Sequence, residues 1–162
     1  MKLHSLIFLM VFIVGCSSGD DSPQTDTQNI GLLGTVWELS HYTVDTGSVV
    51  AVAEETKYQL FLAVASSDVG AFIGCKNYSD SYYELNDGYL TIRLGASNDG
   101  ECITDSAEFA TQTIAIGSLL EGGGSGESVP LMYSVFDGQL TLEAADGRVL
   151  EFIQVAELLL ER

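Results

Sequence analysis

The sequence has few positive charges. Six lysines and arginines stand against 23 aspartates and glutamates, which gives a formal net charge of −17 at pH 7. Past the first 30 residues the cations are scattered, at Lys57, Lys76, Arg93, Arg148 and Arg162. Because nucleic-acid binding needs cations clustered opposite the phosphates, the sequence predicts no nucleic-acid partner. The acidity could attract basic partners, although it more often serves solubility.

Histidine and cysteine are also scarce, with two and three copies. Past the N-terminal segment only His41, Cys75 and Cys102 remain, whereas a structural zinc site needs four such ligands. A Ser-His-acid hydrolase would have to use His41, and no Gly-x-Ser-x-Gly motif is present. A pair of glycosidase carboxylates stays open, since acids are abundant and nothing singles out two of them. The sequence predicts no metal, no cofactor and no enzymatic activity.

The N-terminal apolar run, Leu6–Val14, is too short to span a bilayer. It has about ten residues, whereas a spanning helix needs about twenty. Lys2 precedes it, and the letters IVGC at positions 13–16 resemble a bacterial lipobox. We therefore predict a lipoprotein signal peptide over residues 1–15, with lipidation of Cys16. The alternative is an ordinary secretory signal that is cut at another small residue.

Residues 16–30 contain the lipidated cysteine and a polar stretch, SSGDDSPQTDTQN, that has no apolar side chain. Such a segment cannot bury enough surface to offset its ordering entropy, so we expect a flexible tether. Ser17 follows Cys16, where an aspartate would resemble an inner-membrane retention signal. We expect attachment through the Cys16 lipid to the outer membrane of a bacterial envelope, facing the periplasm. Residues 31–162 then form one domain.

The rest of the chain is typical of a mainly β protein. Short runs rich in β-branched, aromatic and apolar residues predict nine strands. These runs are Thr35–Tyr42, Ser48–Ala53, Lys57–Ala65, Val69–Cys75, Ser81–Leu85, Tyr89–Leu94, Leu131–Phe136, Gln139–Ala144 and Arg148–Val155. Asp-Gly pairs at 87–88, 137–138 and 146–147 predict tight hairpins, and hairpins make neighbouring strands antiparallel. We expect a meander that closes into a small barrel-like, lipocalin-like sheet.

One segment departs from the two-residue alternation that is typical of strands. Phe109, Thr113, Ile116 and Leu120 follow each other at steps of three or four. This spacing predicts an α-helix over Ser106–Leu120 that packs on the sheet. The glycine-rich stretch that follows, residues 122–130, is interpreted as a loop.

The order of these elements resembles the META domain, the HslJ-like domain of bacterial envelope lipoproteins. Its opening G-x-W-x-L strand is similar to GTVWEL at 34–39, and its G-C-N-x-Y-x-G-x-Y signature matches at Gly74, Cys75, Tyr78 and Tyr82. Lys76 and Asp80 depart from the usual Asn and Gly. A second cysteine before the helix is similar to Cys102. The L-x-L…G…L-x-F ending matches at Leu140, Leu142, Gly147, Leu150 and Phe152.

The resemblance implies a small antiparallel barrel with one helix and no established enzymatic mechanism. Family members are linked to heat shock, antibiotic tolerance and envelope maintenance. We therefore expect a non-enzymatic lipoprotein that supports envelope integrity by binding a protein or an envelope component. The signature suggests a possible binding surface, formed by Lys76, Asn77, Tyr78, Asp80 and Tyr82. Two alternatives stay open: a carrier of a small apolar ligand inside the barrel, and an inhibitor of a hydrolase such as lysozyme.

Cys75 and Cys102 remain once Cys16 carries lipid. The predicted compartment is oxidising, and an even pair of cysteines is left. A reactive thiol would need nearby cations; Lys76 is the only one beside Cys75, and Glu101 adjoins Cys102. We expect a disulfide between Cys75 and Cys102.

Overall fold

The computed structural model describes residues 31–44, 47–53, 56–99, 107–120 and 128–156. Within these ranges it has ten strands and one helix. They are β1 (Val36–Val44), β2 (Ser48–Ala51), β3 (Tyr58–Leu62), β4 (Asp68–Ile73), β5 (Lys76–Asn86), β6 (Tyr89–Arg93), β7 (Ser97–Asp99), α1 (Ala107–Leu120), β8 (Leu131–Phe136), β9 (Gln139–Glu143) and β10 (Val149–Val155). No helix in the described ranges is both long enough and apolar enough to cross a membrane.

Eight of the strands form a closed antiparallel barrel. Pairing runs from β3 through β4, β5, β6, β8, β9 and β10, and β10 pairs with β1, which pairs with β3. Strand β2 forms a hairpin with the C-terminal half of β1, and β7 pairs with the N-terminal end of β5. The predicted fold class, a small antiparallel barrel with one helix, is confirmed.

Two of the three Asp-Gly pairs form two-residue hairpin turns. Asp87 and Gly88 join β5 to β6, Asp137 and Gly138 join β8 to β9, and all four residues have positive φ. This is the conformation for which Asp-Gly is favoured. The pair at 146–147 lies instead in a five-residue loop, because Glu143 pairs with Val149. In that loop Gly147 has a positive φ and donates a hydrogen bond to the Ala144 carbonyl.

Alternating residues of the strands fill the barrel interior. The inward positions carry large apolar side chains that are almost wholly buried, and such burial stabilises the fold by about 1.5–3 kcal/mol for each full-sized side chain. They include Trp37, Leu39, Tyr58, Leu60, Leu62, Ile73, Tyr83, Leu90, Ile92, Leu131, Leu140, Leu142, Leu150 and Phe152.

A turn that precedes β1 covers one end of the barrel. Leu32 is fully buried there, and its carbonyl accepts a hydrogen bond from Trp37 Nε1 at 3.0 Å. The Gly34 amide donates to the Leu62 carbonyl at 2.8 Å, which joins the turn to the end of β3. Apolar burial and backbone hydrogen bonds therefore fix residues 31–34 across this end.

Helix α1 packs at the opposite end. Gln112, Ile116, Leu119 and Leu120 are buried along one side of it, at the three- and four-residue steps that the sequence predicts. The Tyr58 hydroxyl lies 3.2 Å from the Thr113 hydroxyl, which links the helix to the start of β3. The predicted helix is present over Ala107–Leu120, and Ser106 lies outside the described residues.

Candidate functional site

The five residues of the predicted binding surface all lie on β5, but they face different ways. Lys76 pairs with Ile73 and Tyr78 pairs with Ala71, and both partners on β4 are buried inward-facing residues. Since directly opposite residues share a face of the sheet, Lys76 and Tyr78 lie on the inner side. Asn77, between them, lies on the outer side.

A β-bulge then shifts the alternation. Val69 pairs with Ser81 while Ala71 pairs with Tyr78, so β5 has one residue more than β4 in this interval. Asp80 lies in the bulge with φ of +54°, a left-handed conformation that aspartate tolerates better than most residues. The usual glycine of the resembled signature would adopt the same conformation without strain. The departure at Asp80 therefore has a local structural explanation.

Beyond the bulge, Tyr82 lies on the outer face and is 40% exposed. The Arg93 guanidinium carbon lies 5.7 Å from the centre of its ring, within range of a cation–π contact. Alternation and the bulge therefore divide the five residues into an inner pair, an outer pair and Asp80. They do not form one continuous surface.

Gly95 makes room for the bulge. Its amide donates to Ser81 Oγ at 2.9 Å, and the Ser79 amide donates to the Ala96 carbonyl at 2.9 Å. A side-chain carbon added at Gly95 would overlap the Ser79 carbonyl oxygen. This close approach bends the chain between β6 and β7 around the bulge, so that both strands pair with β5.

Gly74 and Cys75 form the two-residue turn between β4 and β5. Gly74 has φ of +66°, and a Cβ there would lie 2.7 Å from the Phe109 ring and 2.8 Å from Thr113 Oγ1. The turn thus packs directly beneath α1. Cys75 is partly buried. Cys102 lies outside the described residues, so the disulfide between Cys75 and Cys102 stays a prediction.

Burial perturbs two tyrosines of the interior, Tyr58 and Tyr83. Burial raises the pKa of Tyr58, although its hydrogen bond with Thr113 acts in the opposite direction. Burial also raises the pKa of Tyr83, whose hydroxyl donates to the Ala63 carbonyl at 2.7 Å. Burial therefore favours the neutral form of both hydroxyls. Within the described ranges, no group of three or more His, Cys, Asp or Glu side chains could hold a metal ion.

A cavity of about 230 Å³ lies outside the barrel, between the end of α1 and the loop that joins β9 to β10. Arg148 Nε donates to Asp146 Oδ2 at 2.8 Å at its edge. The backbone amide of Arg148, together with its guanidinium, lowers the pKa of the Asp146 carboxyl. The lining residues are Ser118, Leu119, Val129, Ala144, Ala145, Asp146 and Arg148.

The outward positions of β8, β9 and β10 form a second surface, which we call the outer β8–β10 face. Its members are Met132, Ser134, Phe136, Gln139, Thr141, Glu143, Val149, Glu151 and Ile153. Phe136 is 82% exposed, and Met132 and Ile153 are each nearly half exposed. The solvent-facing side of a sheet is normally polar, so three large apolar side chains at outward positions are unusual.

The strand register shows how the face is arranged. Phe136 and Ile153 flank Gln139 at one end, and Met132 lies opposite Glu143 at the other, next to the exposed Tyr89 of β6. The small side chains of Ser134 and Thr141 lie between these ends and pair with each other. The face therefore has bulky apolar residues at its ends and small polar residues in its middle.

The charge of the outer β8–β10 face is negative. Neither Leu131–Gly147 nor Val149–Val155 contains a lysine or an arginine, whereas Glu143 and Glu151 lie on the face and Asp137 lies in the adjoining turn. His41 Nδ1 lies 3.8 Å from Glu151 Oε2, and Arg148, which directly precedes β10, is held by Asp146 at the edge of the cavity. Sequence reasoning placed these strands but did not single out their outward residues.

Comparison with known proteins supports the fold and nothing finer. No family model matches the chain, and no curated protein matches it. The chain is similar to an NMR structure of a protein from Burkholderia xenovorans, at 22% identity and a TM-score of 0.54, over 78% of this chain and 85% of that one. A second NMR structure of a protein is 14% identical with a TM-score of 0.47, over 74% and 88% of the two chains. The resemblance to the META domain stays a prediction.

Residues 1–30 lie outside the described residues, and with them the predicted signal peptide, the tether and Cys16. Lipidation of Cys16 and an outer-membrane location stay predictions.

Proposed function

We propose that this protein is a lipid-anchored, non-enzymatic module of the bacterial envelope that binds a protein or an envelope component through the outside of its barrel. The observation that carries this proposal is the occupied interior. Trp37, Tyr58 and Phe152 are almost wholly buried inside the barrel, Leu32 covers one end and α1 packs at the other. Groups available for recognition therefore lie on the outer surface.

The anchoring half of the proposal rests on the sequence. Residues 1–15 act as the signal peptide, Cys16 receives the lipid, and residues 16–30 form the tether that holds the barrel at the periplasmic side of the outer membrane. A disulfide between Cys75 and Cys102 fastens the β4–β5 turn to the segment before α1 in this oxidising compartment. By resemblance to the META domain, the module supports envelope integrity under heat stress or drug stress.

A hydrolase inhibitor is the second candidate, and the outer β8–β10 face favours it. Enzymes that attack the envelope, such as lysozyme, are commonly basic, and an acidic face with apolar residues suits such a target. The carrier alternative has less support, because large side chains occupy the inward positions. The cavity beside Arg148, at about 230 Å³, is also smaller than the roughly 300 Å³ at which ligand pockets usually begin.

Crosslinking in cells tests the proposal. A tagged full-length protein is crosslinked in growing bacteria, and its neighbours are compared with those of the Cys16→Ser variant, which cannot be lipidated. We expect discrete envelope proteins joined to the wild-type protein in the membrane fraction, and loss of both the fraction and the adducts in the variant. A soluble wild-type protein without neighbours would contradict the proposal.

Two further measurements separate the alternatives. Organic extraction of the purified native protein, followed by mass spectrometry, would reveal a bound apolar molecule if the protein is a carrier. Titration against lysozyme would lower the enzyme's activity if the protein is an inhibitor of that enzyme. The binding proposal predicts that no ligand is extracted. If lysozyme is inhibited, substitutions on the outer β8–β10 face should abolish the inhibition.

A further inference from the structure

We propose that the outer β8–β10 face is the binding surface, and that its partner is a cationic protein surface with lysine or arginine side chains around an apolar contact. This inference rests on the proposed function, because it assigns the place and the partner chemistry of that binding. It uses the exposure, register and charge of strands whose side chains are all described.

The apolar residues supply the contact area. Phe136 and Met132 on β8 are 82% and 48% exposed, and Ile153 on β10 is 46% exposed on the same face. Several large exposed apolar side chains on one face, as opposed to single ones scattered over the surface, offer contact area to a partner. Aromatic residues and methionine are also enriched at the centres of protein interfaces.

The spacing of these residues defines the shape of the contact. Met132 and Phe136 are four residues apart on β8, which corresponds to about 13 Å along a strand. Phe136 and Ile153 lie two strands apart, which corresponds to about 10 Å. Ser134 and Thr141 occupy the middle with small side chains. An apolar side chain of a partner fits above this middle, between the three larger residues.

The negative charge of the face favours one class of partner over the others. Glu143 and Glu151 lie on the face and Asp137 at its end, without a lysine or arginine on the three strands. A second copy of this chain would bring the same carboxylates against them, and an anionic lipid surface or a nucleic acid would be repelled in the same way. A cationic protein gains attraction from each carboxylate while its apolar groups cover Phe136 and Met132.

Fluorescence anisotropy with a defined probe tests this assignment. The probe is a labelled synthetic peptide rich in lysine that also carries leucines, and it is titrated with the full-length protein in mild detergent. Two further peptides replace its lysines by glutamates or its leucines by serines. We expect binding of the lysine-leucine peptide, no binding of the glutamate peptide, and weaker binding of the lysine-serine peptide.

Variants locate the binding. The double variant Met132→Ser, Phe136→Ser should weaken binding of the lysine-leucine peptide by about tenfold or more, as expected for loss of interface anchors. The control pair, Val64→Ser and Ile114→Ser, removes apolar residues that are each 71% exposed on other parts of the surface. These controls should change the affinity by less than about twofold. Equal losses in both sets, or no loss in the first, would overturn the inference.

Zero-length carbodiimide crosslinking gives an independent readout. It joins lysines of the peptide to carboxylates that they contact, and mass spectrometry identifies them. We expect Glu143, Glu151 and Asp137 to react in preference to Glu84 and Asp68. Preference for Glu84 or Asp68 would contradict the inference.

Failure of this inference differs from failure of the proposed function. If partners crosslinked in cells contact another surface, the outer β8–β10 face is the wrong site and the binding function stands. If the protein has no neighbours in cells, the proposed function itself fails. Unchanged circular dichroism and melting temperature show that the double variant is folded, so that its loss of affinity reports on the surface.

Discussion

Replacing Leu32 by alanine should destabilise the protein by about 3 kcal/mol. Leu32 is fully buried at the barrel end, where its carbonyl also accepts the hydrogen bond of the Trp37 indole. Loss of its buried methyl and methylene groups costs about 2–3 kcal/mol in transfer free energy, and the cavity left behind brings the usual total for Leu→Ala to about 2.7–5 kcal/mol. We take the lower part of that range, because a turn can relax more readily than a strand.

Urea denaturation followed by tryptophan fluorescence measures this loss. Trp37 is the single tryptophan of the chain and is 1% exposed, so its emission reports directly on the end that Leu32 covers. Leu33→Ala is the matched control, because the neighbouring leucine is only partly buried. It should cost about 1 kcal/mol or slightly more. A loss below about 1 kcal/mol for Leu32→Ala, or equal losses for both variants, would refute the view that Leu32 closes the barrel.

Three further tests, at Gly74, Tyr58 and Asp80, address other parts of the structure. Gly74→Ala should lower the free energy of unfolding in urea by about 2–4 kcal/mol, because strain at positive φ adds to the contact with Phe109. Gly47→Ala is the control, since Gly47 also has a positive φ but has open space around it, and it should cost only about 1 kcal/mol. Equal costs would contradict this account. Burial raises the pKa of Tyr58, so its contribution to stability is complete below the unfolded pKa, near 10, and is lost as pH rises through the folded value. Tyr58→Phe should therefore reduce the loss of melting temperature above about pH 10, and an unchanged alkaline slope would show that Tyr58 does not cause it. Asp80→Gly should change stability by less than about 1 kcal/mol, because glycine adopts the left-handed backbone of position 80 freely. Asp80→Val should cost about 1–2 kcal/mol or more, because a β-branched residue is strained in that conformation. A valine variant of unchanged stability would argue against the bulge.

Alternation and turn chemistry were enough to predict most of the barrel. The strands next to Asp-Gly turns and the helix over Ala107–Leu120 agree with the sequence pattern to within a few residues. The sequence pattern does not predict the N-terminal half of β5 or any of β7. Their residues, Lys76–Asp80 and Ser97–Asp99, are polar apart from Tyr78, so these runs carry too few apolar residues for a periodic signal. Their pairing depends instead on the bulge at Asp80 and on the space at Gly95, which only the folded chain reveals.

The candidate site was harder to predict for the same reason. Five neighbouring residues of the signature suggested one surface, but the alternation of β5 and the bulge at Asp80 together place them on different sides of the strand. The outer β8–β10 face was visible in principle, since Met132, Phe136 and Ile153 occupy positions where an outward polar residue is expected. Recognising it required the register, because Phe136 and Ile153 are distant in sequence and meet only through Gln139.

Photo-crosslinking from single positions in living cells tests the central claim most directly. A photoreactive amino acid replaces Ser134, in the middle of the outer β8–β10 face, and in a separate variant it replaces Val64, which is exposed elsewhere. The account predicts a discrete adduct from position 134 with a protein that presents lysine or arginine at the contact, and no such adduct from position 64. An absent adduct at position 134, or the same adduct from both positions, would contradict it.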